Sequence, residues 1–311
     1  MLNLRRNAGG SPLHAFILAS AIALSVPALA HAAPAPAATQ AAPTFTSDRL
    51  SVEVVGQGPD VILIPGLASS REVWRAEADR LKATHRVHLV QLAGFAGQPW
   101  THGDGPFVAP VVEELARYIS DAGLQRPAVI GHSMGGFSAL RLAQAHPDLV
   151  GRVMTVDSLP FYSAMFGPQV TAEAARPFAD QAAQMMLNPD EAAFRQMQVQ
   201  TAEGLVRDPA TRTAMVEWSM ASDRHALAAA IRDVMTSDAR PGLAAMTTPV
   251  WALYASDADG GAPAAMADAV WGREYAPLPG VHLERVDASR HFIMADQPEV
   301  FAELVDRFLA E

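Results

Sequence analysis

Residues 127–147 read PAVIGHSMGGFSALRLAQAHP. Ala128, Val129 and Ile130 form a short apolar run that fits a buried strand. Residues 136–146 carry a helical pattern that Pro147 stops, because proline cannot continue a helix. The few residues between them, Gly131-His132-Ser133-Met134-Gly135, must take the chain from strand to helix in a sharp turn. Glycines two residues to either side of Ser133 let backbone segments approach where a Cβ would not fit. Strand, tight turn and helix together form the unit that builds a parallel sheet, so the rest of the chain is searched for the same alternation.

The alternation is there. Strands are expected at 50–55 (LSVEVV), 61–64 (VILI), 87–92 (VHLVQL), 127–130 (PAVI), 152–157 (RVMTVD), 249–255 (PVWALYA) and 282–287 (HLERVD). Val111, Val112, Leu115 and Ile119 fall at helical spacing, as do Val300, Phe301, Leu304, Val305 and Phe308 near the end. This predicts an α/β fold, a mostly parallel sheet with helices on both faces. The pattern breaks once. Residues 158–248 hold no convincing strand, carry prolines at 160, 168, 177, 189, 209 and 241, and contain eight of the 13 methionines. We expect three to five helices there, a cap inserted into a core made of 45–157 and 249–311.

Composition narrows the function. Of 311 residues, 50% are hydrophobic and 18% charged, enough apolar material for a real core. The net charge is −10 and Lys82 is the one lysine, which speaks against a nucleic-acid or anionic-lipid partner. There is no cysteine, so disulfides, thiol nucleophiles and Cys-ligated metals are excluded. At the start, Arg5 and Arg6 precede the apolar run 15–30, and small residues follow at 28–32. That pattern reads as a secretory signal over 1–32, with a Pro/Ala-rich disordered leader over 33–44. The run is too short for a stable membrane anchor, so an exported, periplasmic or secreted protein is expected.

A serine hydroxyl needs a base, and the base needs an orienting acid, before it becomes a nucleophile at neutral pH. Ser133 on its tight turn is the candidate nucleophile. Of the ten histidines, His291 follows the last strand and precedes the final helix, at the sheet end where open α/β folds carry their sites. It is the candidate base; His132 is expected to point away from the serine. Three carboxylates end strands: Asp257, placed first, with Asp259 and Asp157 as alternatives. Backbone N–H donors for an oxyanion are expected at Met134 and, in the loop Pro65-Gly66-Leu67, at Leu67. No cofactor or metal is called for by this chemistry.

Together, Ile64-Pro65-Gly66-Leu67 with Trp74, Gly131-His132-Ser133-Met134-Gly135-Gly136, the strand end PVWALYASDAD, and Ser289-Arg290-His291 before Gln297-Pro298-Glu299 resemble the α/β-hydrolase superfamily. The resemblance spans residues 45–311. It implies an eight-stranded mostly parallel sheet flanked by helices with an inserted helical cap. It further implies Ser133 as nucleophile, His291 as base with an Asp partner, and Leu67 and Met134 as oxyanion donors. The chain departs from the usual pattern after the 249–255 strand, where Ala-Ser-Asp-Ala-Asp replaces Gly-x-x-Asp. The expected activity is hydrolysis of small-molecule carboxylic esters with an apolar acyl part, through an acyl-enzyme. Met165, Met185, Met186, Met197, Phe161 and Phe166 are candidates for the acyl pocket. Cofactor-free haloperoxidase or perhydrolase activity, and thioester, lactone or C–C hydrolysis, use the same triad. A non-catalytic ligand-binding protein is the alternative of another class. The oligomeric state is left open.

Overall fold

A computed structural model describes residues 45–311. The expected signal segment and leader, 1–32 and 33–44, lie outside the described residues. All seven strands read from the sequence form. They are β1 (Leu50–Gly56), β2 (Asp60–Ile64), β3 (Arg86–Leu92), β4 (Ala128–His132), β5 (Arg152–Val156), β6 (Val250–Ser256) and β7 (His282–Asp287). They make one sheet in the order β1-β3-β2-β4-β5-β6-β7, with β1 antiparallel to β3 and every other pair parallel. The sheet therefore has seven strands among the described residues, one fewer than the eight implied by resemblance.

Alternation along each strand sorts side chains onto two faces. On one face Ile62, Ile64, Val90, Leu92, Val129, Val153 and Ala252 pack under helices α2 (Val108–Asp121), α3 (Met134–Ala145) and α9 (Ala264–Tyr275). On the other, Val61, Leu63, Val87, Leu89, Ile130, Met154 and Leu253 meet α1 (Arg75–Leu81) and α11 (Pro298–Ala310), which follows the single-turn α10 (Ile293–Asp296). Trp74 and Phe301, both fully buried, lie with ring centroids 6.0 Å apart in this second layer. The apolar stripe Phe301, Leu304, Val305, Phe308 is the face that α11 buries, as its spacing predicts.

The order also fixes where a site can form. From β2 the chain goes to β3 on one side and returns to β4 on the other. The loops after β2 and β4 thus diverge and leave a crevice at the carboxyl ends of the strands. Ile64 pairs with Gly131 and His132 with Val156, so the loops after β2, β4 and β5 emerge side by side.

Between β5 and β6 the chain is helical. A 3-10 turn (Tyr162–Phe166) leads into α4 (Ala172–Leu187), α5 (Glu191–Leu205), α6 (Pro209–Met220), α7 (Arg224–Thr236) and the short α8 (Arg240–Leu243). Thr171, Asp190, Asp208 and Asp223 each accept a first-turn amide of the long helix they precede. The α4/α7 pair is rooted in the core. Leu227, Ala229 and Ala230 join the main cluster, and Asp233 Oδ2 accepts from Phe107 N–H and Val108 N–H at the start of α2, at 2.8 and 3.0 Å. The α5/α6 pair reaches the same cluster through Phe194 and adds a second one, in which Ala202, Val206, Met215 and Val216 pack on Phe292.

Candidate active site

Ser133 has φ 53° and ψ −122°, a backbone conformation that L residues rarely adopt. Its surroundings hold it there. Its N–H donates to Val156 O at 2.9 Å, and its carbonyl accepts from Phe137 N–H at 3.0 Å. The flanking glycines are needed for space. A Cβ on Gly131 would lie 2.2 Å from Gly135 O, and one on Gly135 would lie 2.4 Å from Ile64 O. The loop after β2 presses on the same turn, since a Cβ on Gly66 would come within 3.1 Å of Ser133 Cβ. Leu67 and Met134 line one cavity with Ser133. Met134 opens α3, whose first amides have no partner within the helix.

His291 lies in the loop after β7 and lines the same cavity. Its Nδ1 is 2.6 Å from Asp157 Oδ2, while Asp157 Oδ1 accepts from Ala255 N–H at 3.0 Å. Nδ1–H donates to the carboxylate, which leaves Nε2 as the basic nitrogen. Asp157 itself sits at φ 47°, turned back from the end of β5. His132, expected to point away from the serine, lines the same cavity as Ser133. Its Nε2–H donates to the backbone carbonyl of His291 at 2.9 Å, and the two rings are 4.5 Å apart. Burial, with the charge of His291 beside it, pushes His132 well below the ordinary histidine value. It stays neutral and pins the loop that carries His291. Only its place in the turn was legible in the sequence; its partner was not.

Asp257, placed first as the acid, is not on His291. It is 5% exposed and held by two arginines, with Oδ2 2.8 Å from Arg290 Nε and Oδ1 3.0 Å from Arg207 Nη1. The hydrogen bond from Arg290 keeps its carboxyl below the usual aspartate range, against the opposing effect of burial. Asp259 is exposed on the turn that follows. Of the three strand-end carboxylates, Asp157 alone reaches His291. Asp296, not singled out from sequence, ties this region together. Its Oδ2 accepts from Arg290 N–H, and its Oδ1 from Arg207 N–H and Asp208 N–H, at 2.8, 2.8 and 3.0 Å. Arg290 also donates to Glu203 O at the end of α5. The loop bearing His291 is thus bonded directly to the α5–α6 turn of the cap.

The cavity has a volume of about 500 Å³ and runs from Ser133 and His291 up under the cap. Of the apolar residues expected there, Met165 and Met186 line it. Phe161 is buried with the Arg240 guanidinium over its ring, and Met197 packs against the core. Met185 and Phe166 face outward.

A family model described as "Alpha/beta hydrolase family" matches residues 61–304. Over 260 residues the chain is 27% identical to a pimeloyl-[acyl-carrier protein] methyl ester esterase of Yersinia enterocolitica, covering 82% of this chain and 95% of that protein. It is 35% identical to the esterase of the same name from Vibrio atlanticus over 122 residues, 39% of this chain. That match spans 45% of the Vibrio protein, less than half its length. A hydrolase from Pseudomonas aeruginosa PA01 superposes with a TM-score of 0.71 at 19% identity, covering 84% of this chain and 94% of that one, a likeness of fold.

Proposed function

The chain belongs to the alpha/beta hydrolase family, and on that premise we propose that it is a serine hydrolase of carboxylic esters in which Ser133, His291 and Asp157 form the triad. One observation carries the proposal: His291, oriented through Nδ1 by Asp157 at 2.6 Å, lines the cavity that also holds the strained Ser133.

His291 Nε2 takes the proton of Ser133 Oγ as the oxygen attacks the acyl carbon. The carbonyl oxygen becomes an oxyanion, stabilised by the N–H groups of Met134 and Leu67. The tetrahedral adduct collapses, the C–O bond to the alcohol breaks, and the alcohol leaves with the proton from His291. A water then gives its proton to His291 and attacks the acyl-enzyme. As the second adduct collapses, the acyl carbon–Oγ bond breaks, His291 returns the proton to Ser133 Oγ, and the acid is released. The carboxylate of Asp157 keeps Nδ1 protonated and stabilises the imidazolium in both halves of the cycle. Small-molecule esters with an apolar acyl part suit the methionine-lined space under the cap, because Met adapts to varied shapes. The export pattern in residues 1–32 leads us to propose a periplasmic or secreted location as well, which cell fractionation tests.

A fluorophosphonate probe and a p-nitrophenyl ester test the assignment. Wild type should label and turn over. Ser133→Ala should do neither, and His291→Ala should lose about three to four orders of magnitude in kcat. Labelling that survives Ser133→Ala would overturn the proposal.

A further inference from the structure

Gln198 lies midway along α5, is 7% exposed, and lines the cavity. Its side-chain amide has no hydrogen-bond partner among the described residues. The other inward glutamines are engaged. Gln91 accepts from Arg71 N–H at 2.8 Å and donates to Ser69 O at 3.3 Å, and Gln144 donates to Ala239 O at 2.8 Å. From the neighbouring α6, Ser219 lines the same cavity, is 1% exposed, and its hydroxyl has no partner either. Elsewhere Ser120, Ser138 and Ser222 turn their hydroxyls back to the carbonyl four residues earlier, at 3.0, 2.8 and 2.7 Å. Ser219 makes no such bond. Two paired cap helices thus bring polar groups to the wall of an apolar cavity and leave them unmatched. The Ser219 hydroxyl is buried without a partner, which is destabilising, and an occupant that hydrogen-bonds these groups would supply the missing bonds.

Charge decides what kind of occupant fits. Arg290 is the one arginine among the residues lining the cavity, and Asp257 and Glu203 O already hold it. Asp157 and Asp257 line the same space. An anionic tail would meet two carboxylates and no unpaired cation there. A primary amide, by contrast, both donates and accepts, and matches a neutral oxygen function.

Resting on the ester-hydrolase proposal, we infer that Gln198, with Ser219 lining the same cavity, selects acyl chains that carry a neutral carbonyl or hydroxyl oxygen beyond the scissile carbon. Gln198 is a specificity residue for the acyl group and takes no part in bond making.

The test compares p-nitrophenyl octanoate with keto isomers of the same chain length, the carbonyl walked outward along the chain. At least one keto isomer should exceed octanoate by about tenfold in kcat/KM, mainly through KM, as sites built to hydrogen-bond a substrate discriminate against analogues lacking the group. Gln198→Met, close in volume and without the amide, should invert that ratio by raising octanoate and lowering the keto ester. Ser219→Ala should reduce the preference by a smaller factor. A wild type that hydrolyses octanoate but favours no keto isomer overturns this inference alone, as does a Gln198→Met that lowers both esters alike. A wild type that hydrolyses none of them overturns the esterase proposal. Calorimetric titration with a medium-chain ketone then still decides here: tighter binding to wild type than to Gln198→Met supports the inference, and equal binding ends it.

Discussion

Asp157 and Asp257 close neighbouring strands of one sheet, at the same edge, and both sit between Ser133 and His291 in the chain. Their surroundings differ completely. Asp157 gives one oxygen to His291 Nδ1 and the other to a backbone amide of β6. Asp257 gives both oxygens to guanidinium groups, one from the His291 loop and one from the cap. Strand order explains the division. β5 is hydrogen-bonded to β4, so Asp157 emerges beside the serine turn, whose Ser133 N–H is bonded to Val156 O. β6 lies one strand further out, and its carboxylate is positioned to clamp Arg290, which immediately precedes His291. One acid orients the imidazole; the other secures the loop and cap around it.

The largest effect should separate the two directly. Asp157→Asn is expected to lower kcat on a p-nitrophenyl ester by about 10³- to 10⁴-fold, while Asp257→Asn stays within about tenfold of wild type. Steady-state kinetics check this, and the reverse ranking would move the triad acid to Asp257. Stability should rank them the other way. Asp257→Asn leaves Arg290 without its carboxylate in a mostly buried place, and should cost about 1–3 kcal/mol in urea unfolding. Asp157→Asn keeps an acceptor oxygen for its amide and should cost less.

pH sharpens the contrast. His132, on the Asp157 side, is neutral when folded and has a lowered value, so the unfolded chain binds more protons below about pH 6.5, its ordinary value. Stability is therefore complete above that pH and falls below it, by up to about 1.4 kcal/mol per pH unit for one proton. His88, buried and lowered too, adds to the same fall, so the His132 share is the difference between wild type and His132→Gln in unfolding free energy against pH. On the Asp257 side the sign is the same but the window is lower. Its lowered carboxyl contributes stability above the ordinary value of 3.8, and that contribution is lost only as pH drops through the lower folded value. Asp257→Asn should therefore leave the fall near pH 6 in place and remove part of the loss at lower pH. The smallest change belongs to Arg207, whose side chain is 41% exposed. Arg207→Ala should cost no more than about 1 kcal/mol, leaving Arg290 as the main partner of Asp257.

By itself the sequence determined the strands, the cap insertion, the serine turn and the histidine that follows the last strand. Each is a local property: short apolar runs, a proline stop, glycines where a Cβ would collide with Gly135 O or Ile64 O. Which carboxylate holds His291 was not legible, because Asp157, Asp257 and Asp259 all end strands and all fit the chain order. Only the sheet order placed β5 beside β4 and gave Asp157 its imidazole. Likewise, nothing in the helical pattern of α5 distinguishes Gln198 from an ordinary core glutamine. Its missing partner depends on what α6, α7 and the core bring to the cavity wall, a matter of packing between segments far apart in the chain.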